Sequence, residues 1–168
     1  ALGQFVVQLP NPATGFEFDN RRPQRLGGSF ARPGVLYAGI EGALIAIDAQ
    51  GKVEELFYTP IGDETRPYLY VEDFWINPAN PSHVIFGGGL NGYEAQVYLY
   101  ESLDHGVSRT LLPALPDNPV LDQELQSLLP LDTRGQRFAL LVTEEDEPES
   151  GKLAHIVLMT RETGVQER

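Results

Sequence analysis

Ser102, Asp104 and His105 lie within four residues of one another in the run YLYESLDHGVSRTLLP, residues 98–113. A serine nucleophile, a histidine base and an aspartate that orients it are the parts of acyl-transfer hydrolysis. That chemistry needs the three side chains in line, a geometry that separate elements of a fold supply. One tight turn cannot deliver it. The run reads instead as a hairpin: an alternating strand, AQVYLYE (95–101), a polar turn closed by Gly106, then SRTLLP. In such a turn short Ser and Asp side chains bond to nearby backbone groups, and glycine supplies a positive φ. Ser102, Asp104 and Gly106 are therefore expected to be structural, and no catalytic residue is assigned.

Other chemistry is sparse. His83, His105 and His155 are not spaced as metal ligands. The run TEEDEPESG (143–151) gathers Glu144, Glu145, Asp146 and Glu147, enough carboxylate oxygen for a weak calcium site. A solvated acidic loop is the competing reading. The glycine-rich GGGLNG (87–92) has neither a lysine nor a following helical pattern, so it is not a phosphate loop. With no cysteine, thiol catalysis, cysteine zinc sites and disulfides are excluded. No cofactor is expected.

The elements that position these residues follow from composition. A chain of 168 residues can bury one core, and 42% hydrophobic with 21% charged residues is ordinary globular usage. Seventeen Gly and 13 Pro punctuate short elements, which points to an all-β, turn-rich domain. A net charge of -12 repels phosphate backbones and argues against nucleic-acid binding. No apolar run approaches the roughly 20 residues of a membrane-spanning helix. The opening Ala1-Leu2-Gly3-Gln4 suits a processed export signal or an excised piece, and an extracytoplasmic or secreted location is expected.

Laid on itself, the chain repeats. GALIAID (42–48), AQVYLYE (95–101) and LAHIVLM (153–159) each precede a turn ending on Gly51, Gly106 or Gly164, glycines 55 and 58 residues apart. Upstream of each lies a second apolar strand: GVLYAGI (34–40), HVIFGGG (83–89) and RFALLVT (137–143). Before each of those comes a strand-and-turn lead-in: GGSFARP (27–33), DFWINPANPS (73–82) and SLLPLDTRGQ (127–136). Four short strands at a period of roughly 50 residues are the pattern of a β-propeller blade, with strands A to D. Residues 5–10 match the D-type strands, so the chain is expected to run D-A-B-C three times. The expected blades span about 5–55, 56–109 and 110–168 of one repeat domain. An open β-sandwich is the alternative packing of the same strands.

The second unit, 74–112, resembles a blade of the BNR, or Asp-box, propellers, which include sialidases, sortilin-type receptors and photosystem-assembly propellers. Asn77-Pro78 and Pro81 carry the first element, Phe86-Gly87-Gly88 the second, and Ser102, Asp104, Gly106 and Ser108 the box. Leu111 or Leu112 stands where the family has an aromatic residue. Thr160, Glu162 and Gly164 form a degenerate third box, and Asp48 and Gly51 are what remains of the first. The resemblance implies that the box is structural and remote from any catalytic face. The arginine trio, the tyrosine nucleophile and the FRIP element of sialidases have no counterpart beyond FARP at 30–33.

In the resembled fold the D–A and B–C loops share one face. Here these are 11–25, 61–73 and 114–126, then Glu41-Gly42, 90–95 and 144–151. Aromatic-bearing loops on a rigid scaffold concentrate interaction surfaces. Phe16, Phe18, Arg66, Tyr68, Tyr70 and Tyr93 are the candidate contact residues. The expected function is a non-catalytic module for protein interaction or assembly. The alternative is a fragment of an Asp-box glycoside hydrolase, sialidase-like and acting on glycans. Closed propellers have at least four blades, so further blades, a protein partner or an oligomer are expected to complete three.

Overall fold

A computed structural model of the chain describes residues 23–58, 69–89, 97–112, 122–145, 152–160 and 164–167. Among them every regular element is a strand. The first sheet is β1 (Pro23–Gly28), β2 (Leu36–Ile40), β3 (Ala43–Ile47) and β4 (Val53–Tyr58). The second is β5 (Asp73–Ile76), β6 (Val84–Gly89), β7 (Val97–Ser102) and β8 (Thr110–Leu111). The third is β9 (Asp122–Pro130), β10 (Arg137–Glu145), β11 (Lys152–Thr160) and β12 (Gly164–Glu167). Within each sheet the strands lie side by side in chain order, and every pairing is antiparallel.

The hydrophobic pattern explains the stacking. Side chains alternate across a strand, so one strand can serve two cores. On β6, Val84 and Phe86 enter a cluster with Tyr37, Leu44, Leu56 and Phe57 of the first sheet. Ile85, between them, enters a second cluster with Phe138, Leu140, Val142, Val157 and Met159 of the third. The second sheet is therefore the middle layer, buried on both faces, as the apolar run of β6 requires. Phe57 and Phe86 close the first interface with ring centroids 4.9 Å apart. Full burial of each such side chain contributes about 1.5–3 kcal/mol.

The two outer faces differ. On the first sheet Ala38, Ile40, Ala43, Ile45 and Ile47 form a third buried cluster. On the third sheet Leu129, Leu141 and Ile156 are exposed. Among the described residues the three sheets do not close a ring.

The first strands of the sheets are tied by side chains. The Asp73 carboxylate, 1% exposed, accepts from the Phe74 N–H at 2.9 Å, the Leu128 N–H at 2.7 Å and Arg25 Nε at 3.0 Å. Glu72 accepts from the Leu125 N–H at 2.9 Å. These N–H groups lie on the edge of β9 that β10 leaves free, and a carboxylate covers each. A register shift between Leu141 and Val142 marks a bulge at Gln126, which turns both donors to the same edge. The segment Leu69–Glu72 also bonds to both neighbours: the Tyr70 and Glu72 N–H groups reach Gly89 and Gly87 oxygens, and the Val71 N–H reaches the Ile40 oxygen. Gly88 allows this approach, because a Cβ there would collide with the Tyr70 carbonyl.

Boundaries differ from the sequence expectation at several places, and β10 runs on to Glu145, into the stretch read as the loop 144–151. β9 begins at Asp122, inside the stretch read as the loop 114–126, because Leu125 is buried in the core and its N–H is held by Glu72. β1 begins at Pro23, inside the loop read as 11–25. The strand expected at residues 5–10 lies outside the described residues.

Candidate functional site

The turns joining first to second and third to fourth strands carry most of the polar chemistry. In the β7–β8 turn, Ser102 Oγ donates to Asp104 Oδ1 at 2.9 Å and accepts from the Gly106 N–H at 2.7 Å. Asp104 Oδ1 accepts from the Ser108 N–H at 2.8 Å, and Oδ2 accepts from the Ser108 hydroxyl at 2.6 Å. The hydroxyl and amide of Ser108 hold the Asp104 carboxyl below its ordinary range. Ser102 is 1% exposed. Its lone pairs and proton are engaged within the turn, so it is not poised as a nucleophile.

His105 adopts a φ of 60°. Its N–H bonds to the Ser82 oxygen at 2.8 Å, joining the two turns of the second sheet. Arg32 Nη1 lies 2.9 Å from His105 Nε2, and Glu54 Oε1 lies 3.0 Å from Nδ1. Arginine can only donate, so Nε2 is the acceptor and Nδ1 carries the proton given to Glu54. Arg32 also meets Glu54 at 3.3 Å. The cluster spans the β1–β2 turn, β4 and the β7–β8 turn, and so bridges the first and second sheets. Beneath it Tyr37 is fully buried. Burial pushes its phenol above the ordinary range, and the nearby Arg32 charge opposes the shift.

Beside this bridge lies a cleft of about 270 Å³ lined by Arg32, Val35, Ala46, Asp48, Lys52, Val53 and Glu54. It offers two cations and two carboxylates, and its lining holds no serine, threonine or cysteine. Asp48 is occupied in its own turn, where Oδ1 accepts from the Gln50 and Lys52 N–H groups at 2.9 and 2.8 Å.

A second histidine–carboxylate pair is buried. His83 Nε2 sits 2.7 Å from Glu101 Oε1, with both side chains under 8% exposed. Asn77 Oδ1 accepts from the Ala79 and Asn80 N–H groups, which directs its Nδ2 toward His83 Nδ1 at 3.1 Å. The histidine therefore accepts at Nδ1 and donates from Nε2 to Glu101. Trp75 covers the ring edge-on at 5.2 Å, and Gly135 of the β9–β10 turn packs on both. Through the Gly135 contact this buried pair braces the second sheet against the third.

Of the sequence-derived contact residues, Tyr70 is half-buried in the bridging segment and pairs with Glu41. Phe16, Phe18, Arg66, Tyr68 and Tyr93 lie outside the described residues, as do Glu162, Asp146 and Glu147. Thr160 ends β11 opposite Gly164, the first residue of β12. Glu144 and Glu145 end β10, opposite Leu153 and Lys152. Among the described residues no group of three or more His, Asp or Glu side chains could hold a metal ion, and no helix is long and apolar enough to cross a membrane.

Sequence reading missed Arg32 and Glu54 as partners of His105, and Glu72 and Asp73 as the carboxylates that reach β9. Contacts across 53 and 55 residues leave no mark in local spacing. It also missed Asp132, whose Oδ1 accepts from the Arg134 and Gln136 N–H groups at 2.9 and 3.0 Å. The signal was present: Asp132-Thr-Arg-Gly-Gln136 has the aspartate and glycine spacing of Asp48-Ala-Gln-Gly-Lys52. No family model matches the chain, and no curated protein matches it.

Proposed function

We propose that the chain is a non-catalytic β-propeller module, its three meander sheets being consecutive blades, that engages a protein partner through the loops opposite the Asp104 turn. The observation that carries this reading is the engagement of Ser102 by Asp104 and Gly106, while the His105 ring bonds to Arg32 and Glu54 instead. The one constellation in the sequence that looked catalytic is spent on holding a turn and two sheets together. The chain-order meander of all three sheets and the Asp-box pattern of the middle one support the blade assignment. Further sheets from the same or another chain would complete the ring.

A panel of fluorogenic glycosides, sialosides included, tests the non-catalytic part, with no turnover expected at any pH between about 4 and 8. Turnover abolished by changing a loop carboxylate would establish the glycoside hydrolase reading instead. Should a protein partner be captured, Tyr68→Ala with Tyr93→Ala is expected to weaken it at least about tenfold, as for interface aromatics generally. Unchanged affinity in that variant would move the contact off the loop face.

A further inference from the structure

We propose that the cleft at the turn end of the first sheet binds a free α-amino acid with an apolar side chain. The meander brings the β1–β2 and β3–β4 turns to one end of that sheet. Arg32 and Val35 come from the first turn and Asp48 and Lys52 from the second, with Ala46, Val53 and Glu54 on the strands beneath. The space between them is about 270 Å³. Pockets for drug-sized ligands run to roughly 300–1,000 Å³, so this one suits a smaller molecule, on the order of ten non-hydrogen atoms.

The charges select the ligand class. Arg32 turns both terminal nitrogens to Glu54, and Nη1 also meets His105, so that cation and that carboxylate offset each other. Lys52 and Asp48 are left. Among the described residues the Lys52 ammonium makes no hydrogen bond or ion pair, and Asp48 accepts its two amides through Oδ1, which leaves Oδ2 open. One uncommitted cation, one uncommitted carboxylate oxygen and the apolar wall of Val35, Ala46 and Val53 match the carboxylate, ammonium and side chain of one small zwitterion. A plain anion would be repelled by Asp48 while Lys52 attracts it, and a plain cation would meet the reverse.

The Asp104 turn shows what the Asp48 turn leaves undone. Ser108 stands four residues after its aspartate, as Lys52 does, and its hydroxyl closes on Asp104 Oδ2 at 2.6 Å. With lysine at that place, Asp48 Oδ2 stays unbonded beside the cleft. A buried group points to the same region. Tyr37 of β2 stands opposite Ala46 and is 0% exposed. Its hydroxyl feels the charges of Arg32 and Glu54 yet makes no hydrogen bond. Buried polar atoms are nearly always paired, so this orphan beside two lining residues is a second sign of a ligand's polar end. Sheets stack face to face, so a sheet that completes a ring leaves the turn end of the first sheet open. This inference is therefore independent of the loop-face reading above.

Amide NMR of the full chain, titrated with L-leucine to about 20 mM, tests it. Saturable shifts of the Ala46, Lys52 and Val53 amides are expected, with a Kd of about 1 mM or below. Isocaproate, which lacks the ammonium, and isoamylamine, which lacks the carboxylate, are each expected to bind at least about tenfold more weakly. Lys52 is exposed, so Lys52→Gln spares the fold; it is expected to weaken leucine about tenfold with the rest of the spectrum in place. Arg134→Gln, an exposed arginine of the β9–β10 turn, is expected to leave binding unchanged. Leucine without saturable shifts at these amides, isocaproate binding as tightly as leucine, or leucine binding indifferent to Lys52→Gln would each overturn the proposal.

Discussion

The Asp48 and Asp104 turns begin from the same local chemistry and end in different roles. Each aspartate takes the N–H of the residue four places ahead, and each turn has a glycine at positive φ, Gly51 at 80° and Gly106 at 91°. Around Gly51 there is open space. A Cβ on Gly106 would run into the Leu56 carbonyl of the first sheet. His105 and Arg32 then lock the second turn to its neighbour. Local sequence makes a hairpin in both places, and only the docked copy has become part of the packing between sheets.

The sharpest way to break this comparison is to put a methyl group on each glycine. Gly51→Ala strains only its own backbone and is expected to cost about 1 kcal/mol. Gly106→Ala adds a collision with rigid backbone and is expected to cost on the order of 3 kcal/mol, with loosening between the sheets. Urea unfolding measures both. Equal costs would mean that the docked turn yields as freely as the solvated one, and the distinction would fall.

What the sequence made legible divides along the same line. Gly51 and Gly106 announced their hairpins because turn chemistry is local, and Asn77-Pro78 did the same for the β5–β6 turn. The alternation of β6 was readable, but which of Val84 and Ile85 faces which sheet was not, since periodicity does not name a partner. The triple glycine 87–89 drew attention without an explanation. At Gly88 the reason is the segment Leu69–Glu72 laid against it, and at Gly87 it is the Tyr98 carbonyl and Leu99 side chain of β7, contacts made only by folding. Of the candidate site, the structural part of the Asp104 turn was foreseen. The partners of His105 were not, because Arg32 and Glu54 lie 73 and 51 positions earlier in the chain.

A smaller effect is expected from the polar half of the lock. Arg32 and Glu54 are about a third and a half exposed, so solvent screens their attraction and Arg32→Ala should cost only about 0.5 kcal/mol. A double-mutant cycle of Arg32→Ala with His105→Ala is expected to show coupling of similar size. Coupling as large as the Gly106→Ala penalty would shift the weight of the lock from backbone contact to the ion pair. The absence of coupling would leave the glycine contact as the whole of it.

The smallest effect is that of acid on the docked turn. The Asp104 carboxyl is depressed because the Ser108 hydroxyl and amide bond its ionised form. A depressed carboxyl stabilises the fold above its unfolded value, ordinarily 3.8, and that contribution is lost as pH falls through the lower folded value. Asp132 is depressed by the Gln136 and Arg134 amides in the same direction, so both turns weaken in the same acid range. Proton NMR titration of the Ser108 and Gln136 amides would follow the two losses separately. Ser108→Ala removes the first cause at Asp104 alone and is expected to move its titration up toward the ordinary value while leaving Asp132 unchanged. Because Gly106 and His105 belong to the Asp104 turn, only its protonation should also shift Leu56 and Arg32 resonances across the sheet boundary. Acid shifts of Leu56 that persist in Asp104→Asn would show that the docking is held independently of the turn's own hydrogen bonds.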